Sequence, residues 1–191
     1  MNTIDLSFPT PQQNLACDEA LLDWCESVDS GEVLRFWETN QYFVVAGYSN
    51  KIQLEVNINS CRAAKIPILR RCSGGGTILQ GPGTLNYALI LKYSNSHHLR
   101  DIVGSTRHVM TQHQQAFARL MQKPVAIEGY SDLALDGLKF SGNAQRRKSS
   151  YMLFHGTFLL HMDLEQIERH LPLPSREPDY RKGRPHQTFL T

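Results

Sequence analysis

Arg70 through Asn86 reads RRCSGGGTILQGPGTLN. Two adjacent arginines enter a serine and three consecutive glycines, Gly74, Gly75 and Gly76, and a short apolar run then meets a second turn at Gly81-Pro82-Gly83. Glycine permits positive φ and offers bare backbone to a ligand, and successive N–H groups in such turns form an anion-binding concavity. Arginine adds a permanently charged fork matched to phosphate or carboxylate. Glycine content alone reads equally as a mobile turn. The flanks argue against that, because Ile66-Pro67-Ile68-Leu69 before the stretch and Leu85 to Leu91 after it are strand-like apolar runs. The loop therefore hangs between rigid elements.

Outside this stretch the chain is ordinary. Its 191 residues suffice for one compact domain, and 41% hydrophobic with 20% charged residues is normal for a globular protein. No apolar run reaches the ~18 residues of a membrane span, and the N-terminus lacks a basic-then-apolar leader, so a cytoplasmic protein is expected, with no membrane partner. Cys17, Cys25, Cys61 and Cys72 form no C-x-x-C pair and read as reduced thiols. His97-His98 and His108/His113 supply no i, i+4 pair, so no metal held by protein ligands is expected. The net charge of +2 conceals an asymmetry: residues 1–60 carry nine acids and two bases, residues 61–191 nine acids and eighteen bases. The basic surplus travels with the glycine loop and suits an anionic ligand or an acidic protein partner better than nucleic acid.

Periodicity predicts a helix over 14–27 capped by Asn14, with Asp18, Glu19, Asp23 and Glu26 on its polar side. Two strands over 33–37 and 42–46 read as a hairpin joined by Glu38-Thr39-Asn40, followed by a helix near 54–64. A helix over about 105–121 follows, with His113 on its packed face. Leu133-Ala134-Leu135, Asp136-Gly137 and Leu138–Gly142 form a second hairpin around the dipeptide that favours a two-residue turn. Alternation then sets Leu138 and Phe140 on the core face and Lys139 and Ser141 on the other. In the last strand, 151–160, His155 and Thr157 share one face and Phe154, Gly156 and Phe158 the other. A short helix over 164–171 precedes an extended Pro/Arg-rich tail, 172–191, which is either a cover over the site or disordered.

These segments together resemble the lipoate-protein ligase A group of the biotin/lipoate ligase and transferase superfamily. Asn14-Leu15-Ala16-Cys17-Asp18-Glu19-Ala20-Leu21 is similar to N-L-A-x-x-E-x-L, and Val44-Val45-Ala46-Gly47-Tyr48-Ser49-Asn50 to V-x-x-G-x-x-Q/N. Arg70–Thr77 matches R-R-x-S-G-G-G-[AT], and Ser131-Asp132-Leu133 follows. Gly137–Gln145 is similar to G-x-K-[IV]-S-G-x-A-x and His155–Leu160 to H-G-T-L-L-L. The matches occur in order from residue 14 to about 160.

The resemblance implies an α/β (α+β) fold: a mixed, largely antiparallel sheet flanked by helices, like the catalytic core of biotin ligase and class II aminoacyl-tRNA synthetases. A single catalytic domain over 1–191 is expected; full-length ligases of the family usually add a C-terminal accessory domain, and none is expected here. The implied reaction joins lipoate to ATP, with Mg²⁺ accompanying the nucleotide, and passes the lipoyl group to a lysine of an acceptor carrier domain of the 2-oxoacid dehydrogenase E2 or glycine cleavage H-protein type. Lys139 would be catalytic and touch both acyl carbonyl and phosphate. Arg70, Arg71, Ser73, Gly74, Gly75, Gly76, Thr77, Ile78, Leu79, Asn86, Asp132, Ser141, Gly142, His155 and Thr157 would complete the nucleotide and lipoyl site.

Residue chemistry agrees. Adenylation brings a carboxylate to a phosphate and needs fixed positive charge and N–H donors where negative charge accumulates. An apolar slot would take the acyl arm. The attacking amine belongs to the carrier, and magnesium is held by phosphate and water.

Several departures leave alternatives open. Gln80 stands where many members carry His, and Gly81-Pro82-Gly83 resembles the octanoyltransferase branch. A lipoyl or octanoyl transferase with a pre-activated donor is therefore the second reading. Residues 122–136 hold no cysteine nucleophile, which leaves Cys72 beside the arginines. A separate accessory subunit, a shortened chain and a transfer-only enzyme each explain the end at Thr191. Arg146-Arg147-Lys148 reads as a solvated turn, as a docking patch for an acidic carrier, or as the basis of a third reading, a non-catalytic adenylate- or nucleic-acid-binding module.

Overall fold

A computed structural model describes residues 1–191. In chain order the elements are β1 (Asn2–Asp5), α1 (Pro11–Val28), β2 (Val33–Trp37), β3 (Phe43–Ala46), α2 (Ile52–Glu55), α3 (Ile58–Ala63), β4 (Ile68–Arg70), β5 (Ile78–Gln80), β6 (Thr84–Lys92), α4 (Ile102–Met121), β7 (Ala126–Glu128), β8 (Asp132–Leu135), β9 (Leu138–Arg147), β10 (Tyr151–Leu159), α5 (Leu164–His170) and α6 (His186–Phe189). A seven-stranded sheet has the order β1-β2-β6-β10-β9-β8-β7, antiparallel except for β1 with β2. A three-stranded sheet, β4-β3-β5, stands beside it. The mixed, largely antiparallel sheet flanked by helices is therefore present.

The large sheet buries both faces. On one, Tyr87, Phe154 and Phe158 pack with Val109 and Met110 of α4. On the other, Ala88, Ile90 and Leu153 pack with Leu22 and Cys25 of α1. The rows that carry chemistry lie on this second face: Trp37, Asn86, Thr157 and Gly142 are register partners, as are Arg35, Ala88, His155 and Ala144.

Local expectations needed correction in three places. Thr10, not Asn14, caps α1: its side chain accepts from Gln13 N, with Pro11 at the first helical position. Asn14 lies one turn in, fully buried, bonding both N–H and C=O of Phe8 and accepting from Arg35. Strands β2 and β3 do not pair with each other. β3 is buried at all four positions, as a strand covered on both faces must be, and it fills the centre of the small sheet. The helix near 54–64 is two helices, because Val56 is extended and Asn57 accepts from Ser60 N to start a second. Of the two readings of 172–191, cover or disorder, the packed one is present: Arg181, His186 and Phe189 are buried.

Candidate active site

A cleft of about 500 Å³ opens where the two sheets meet. One wall is the glycine loop between β4 and β5, the other is β8–β9, and the residues after α5 form the rim. The walls come close: a Cβ added to Gly75 would lie 3.6 Å from Ala144 Cβ.

Both arginines of the loop brace backbone carbonyls, Arg71 buried and Arg70 at the surface. Arg70 donates to the carbonyls of Gly47 (2.5 Å), Tyr48 (2.8 Å) and Asn50 (3.0 Å). Arg71, 9% exposed, donates to Gly74 O, Gly76 O, Val45 O and Ser73 Oγ at 2.6–3.3 Å. Burial pulls Arg71 down to about 10, so it stays charged at neutral pH. Across a trans peptide C=O and N–H point in opposite directions. Drawing the Gly74 and Gly76 carbonyls onto Arg71 therefore turns the N–H groups of Gly75 and Thr77 away from the guanidinium. Gly75 holds φ +87°, and a Cβ there would sit 2.9 Å from Arg71 Nη2. At Gly74 and Gly76 a Cβ would meet nothing within 4 Å.

The opposite wall carries Lys139. Ala134 pairs with Lys139 but Leu133 pairs with Ser141, so Phe140 is the extra residue of a β-bulge. The bulge breaks the expected alternation. Lys139 stays on the face of Asp132 and Gly142, and its Nζ reaches Asp132 Oδ1 at 2.8 Å. Ser141 turns to the α4 side with Leu133, 1% exposed and bonded by Asn143 Nδ2. The expectation that Ser141 shares a face with Lys139 is thus wrong, for a reason no alternation argument contains.

Between the walls, Gln80 Nε2 donates to Thr157 Oγ1 (2.5 Å), which donates to Asn86 Oδ1 (2.7 Å). Ser73 Oγ and His155 Nε2 lie 2.5 Å apart, and His155 Nδ1 is 3.9 Å from Asp18 Oδ2. Asp18 is not on a solvated face: it is 3% exposed and holds fully buried Arg35 at 2.6 Å and Trp37 Nε1 at 3.3 Å. Three buried side-chain polar atoms of the protein lack a hydrogen-bond partner, and two of them, Thr77 Oγ1 and Asn86 Nδ2, belong to residues lining this cleft.

Arg71, Gly74, Gly75, Gly76, Thr77, Ile78, Asn86, Asp132, Lys139, Gly142, His155 and Thr157 thus line one cavity. Arg70 and Ser73 stand behind it as supports, and Leu79, 3% exposed, packs in the core under the small sheet. Sequence reasoning missed Asp18, Asn143 and the rim residues Arg176, Arg181 and His186. The Pro/Arg-rich composition of 172–191 was the signal for the rim.

One further expectation changes. The Cys72 thiol is pushed up to about 11, mainly by burial and then by Glu19, which together outweigh Arg146. Burial, not the neighbouring arginines, decides the state of this thiol. In the basic triplet, Arg147 donates to Leu99 O and Arg100 O and stacks on Tyr93, and Lys148 pairs with Asp23 at 2.5 Å. Arg147 is committed within the fold, while Arg146 and Lys148 stay exposed, as the reading of a solvated turn expects.

The family model for the lipoyl protein ligase A/B catalytic domain matches residues 10–186. The chain belongs to that family. It is 29% identical over 173 residues to a Mycoplasma pneumoniae protein described as probable lipoate-protein ligase A, covering 90% of this chain and 49% of that one. It is 26% identical over 186 residues to octanoyltransferase LipM of Geobacillus kaustophilus, covering 86% and 66%. The chain thus spans about half the length of the Mycoplasma relative. Among solved structures, a lipoate-protein ligase A bound with ATP superposes with TM-score 0.81 at 22% identity, over 98% of this chain and 76% of that one. A bipartite lipoate protein ligase of Thermoplasma acidophilum, described with its E2 lipoyl domain, gives 0.76 at 23% identity, over 92% and 67%. A biotin protein ligase of Aquifex aeolicus gives 0.51 at 12% identity, over 88% and 57%, and shares the fold alone. No helix is long and apolar enough to cross a membrane.

Proposed function

We propose that this chain carries the catalytic site of a lipoate-protein ligase, which forms an acyl-adenylate from ATP and lipoate and passes the acyl group to a lysine of a lipoyl-acceptor carrier domain. One observation carries the reading. Thr77 Oγ1 and Asn86 Nδ2, both buried without a hydrogen-bond partner, line the same cleft as Lys139 of the other wall. A buried donor left without a partner costs about 1–3 kcal/mol, so a site built this way is completed by a ligand oxygen. The triphosphate fits that description. Thr77 Oγ1, Asn86 Nδ2 and the N–H groups of Gly75 and Thr77 are the groups available to phosphate oxygens, with Mg²⁺ held by phosphate and water. Leu15 and Ile78, both partly exposed in the cleft, offer apolar surface for the acyl arm.

In the first step the lipoate carboxylate attacks the α-phosphorus and the bond to the pyrophosphate oxygen breaks. Lys139 and the loop donors stabilise the charge that builds on the phosphoryl oxygens and the leaving group. In the second step the carrier amine attacks the acyl carbon and AMP leaves, so the protein needs no nucleophile of its own. The ATP-bound structural neighbour and the neighbour described with an E2 lipoyl domain support the nucleotide and the acceptor class. The LipM relatives support the second reading, transfer from a pre-activated donor.

The decisive measurement is lipoate-dependent ATP–pyrophosphate exchange, run beside mass spectrometry of a purified lipoyl domain incubated with the protein, ATP and lipoate or octanoate. Exchange together with a mass increment supports the ligase. A mass increment from an acyl-carrier donor without exchange establishes the transferase instead. Neither signal sinks both.

A further inference from the structure

We propose that Tyr180 is a positioning residue for Lys139, acting through Asp132, so that the segment after α5 is part of the reaction machinery; this rests on the reading of Lys139 as the adenylating lysine. Tyr180 OH donates to Asp132 Oδ2 at 2.8 Å, and Asp132 Oδ1 holds Lys139 Nζ at 2.8 Å. Asp132 makes no other side-chain bond, so its two oxygens link the tail to the lysine. A lysine stem has large rotamer freedom, and a carboxylate fixed at both oxygens removes much of it. One ammonium proton then goes to Asp132, leaving two donors for a phosphate and an acyl oxygen.

Tyr180 is itself well held. Its ring centroid lies 5.1 Å from that of Phe189, which is 2% exposed, and a Cβ on Gly129 would stand 3.4 Å from its ring. Burial and the Asp132 charge keep its hydroxyl far above the ordinary tyrosine range, so it remains a donor at every working pH. The same segment grips the lysine a second time, through its backbone: Leu190 bridges to Lys139 and Thr191 N donates to Lys139 O at 3.0 Å. From below, a Cβ on Gly142 would come within 3.0 Å of Nζ. Bare backbone at Gly142 gives the ammonium room in its present place.

The test uses the full chain and Tyr180→Phe, which keeps the ring and removes one oxygen. Small misplacements of a reacting group are costly, so kcat for acyl-adenylate formation is expected to fall about 10-fold while the KM for ATP stays within about 2-fold. Asp132→Asn is expected to act in the same direction, and Tyr180→Phe to add nothing in that background. Independent, additive losses would mean mere packing and overturn the proposal. A second readout needs no substrate: acetic anhydride labelling of Lys139, followed by peptide mass, should speed up several-fold in Tyr180→Phe. Lys92, paired with Asp29 at 2.6 Å, serves as the unchanged reference. Unchanged kcat with unchanged Lys139 labelling overturns the proposal. If the wild type forms no adenylate, the ligase reading fails and the labelling alone still decides the grip of Tyr180. Should Tyr180→Phe not fold, Asp132→Asn makes the same labelling prediction.

Discussion

The two walls of the cleft hold their cations in opposite ways. On the loop wall, Arg70 and Arg71 commit their donors mostly to backbone carbonyls, so their charge shapes the loop. On the β8–β9 wall, Lys139 meets one carboxylate and keeps donors free. The difference follows from the side chains. A planar guanidinium can brace several carbonyls at once, whereas an ammonium on a flexible stem is a movable point charge. A positive residue in a site is therefore not one kind of thing: one builds the cradle, the other meets the substrate.

The sharpest way to break this comparison is to remove each cation in turn. Lys139→Met should lower acyl-adenylate formation about 10²–10³-fold, with the unfolding midpoint shifted by less than about 1 kcal/mol, since the lysine side chain is 24% exposed. Arg71→Lys should lose about 2–4 kcal/mol of stability, because the carbonyls of Gly74 and Gly76 lose a brace that an ammonium cannot replace. Its activity should fall together with its denaturation midpoint. An Arg71→Lys protein of wild-type stability that loses only rate would put Arg71 on the substrate and erase the distinction between the walls.

Legibility divides along the same line. The loop wall was readable because glycine and arginine advertise their chemistry locally, and twelve of the sixteen expected residues line the cleft. What could not be read depends on distant partners. Arg70 and Arg71 looked like a phosphate fork because sequence does not show which carbonyls lie within reach. Alternation alone sets Ser141 beside Lys139, because a bulge at Phe140 has no residue signature. Asp18 looked solvated because its partner, Arg35, lies on a strand seventeen residues on. The hairpin between β2 and β3 fails for the same reason, since β2 lies between β1 and β6 and β3 between β4 and β5 in separate sheets.

A smaller effect distinguishes the walls by pH. His113 of α4 lies behind the lysine wall, its ring centroid 4.8 Å from that of Tyr87, whose hydroxyl bonds Asn143. Burial pulls His113 down to about 4, so it stays neutral in the folded protein while the unfolded chain takes up a proton near 6.5. Between those values the unfolded state binds more protons, so this stability is complete above pH ~6.5 and is lost as pH falls to about 4, by at most about 3 kcal/mol. Buried His170 and His186, also lowered, act in the same direction. Urea midpoints at pH 7, 5.5 and 4 should show the decline, and His113→Phe should flatten it. Amide exchange on acidification should rise at 131–143 before 70–77; the reverse order would place the weaker wall at the loop.

The smallest expected effect is at Cys72, between the two residues that contact Val45, Gly74 and His155. With the thiol pushed up to about 11, only about one molecule in a thousand carries a thiolate at pH 8. Cys72→Ala should therefore leave ATP-dependent acyl transfer within about 2-fold of wild type, since such a thiol supplies no activated nucleophile. Iodoacetamide should label Cys72 more slowly than an exposed thiol, because burial opposes both access and ionisation. A Cys72→Ala protein unable to move an acyl group from a carrier thioester would reverse this: the loop wall would then hold the nucleophile, the arginines would serve a covalent transfer site, and Lys139 would no longer be the group that distinguishes the walls.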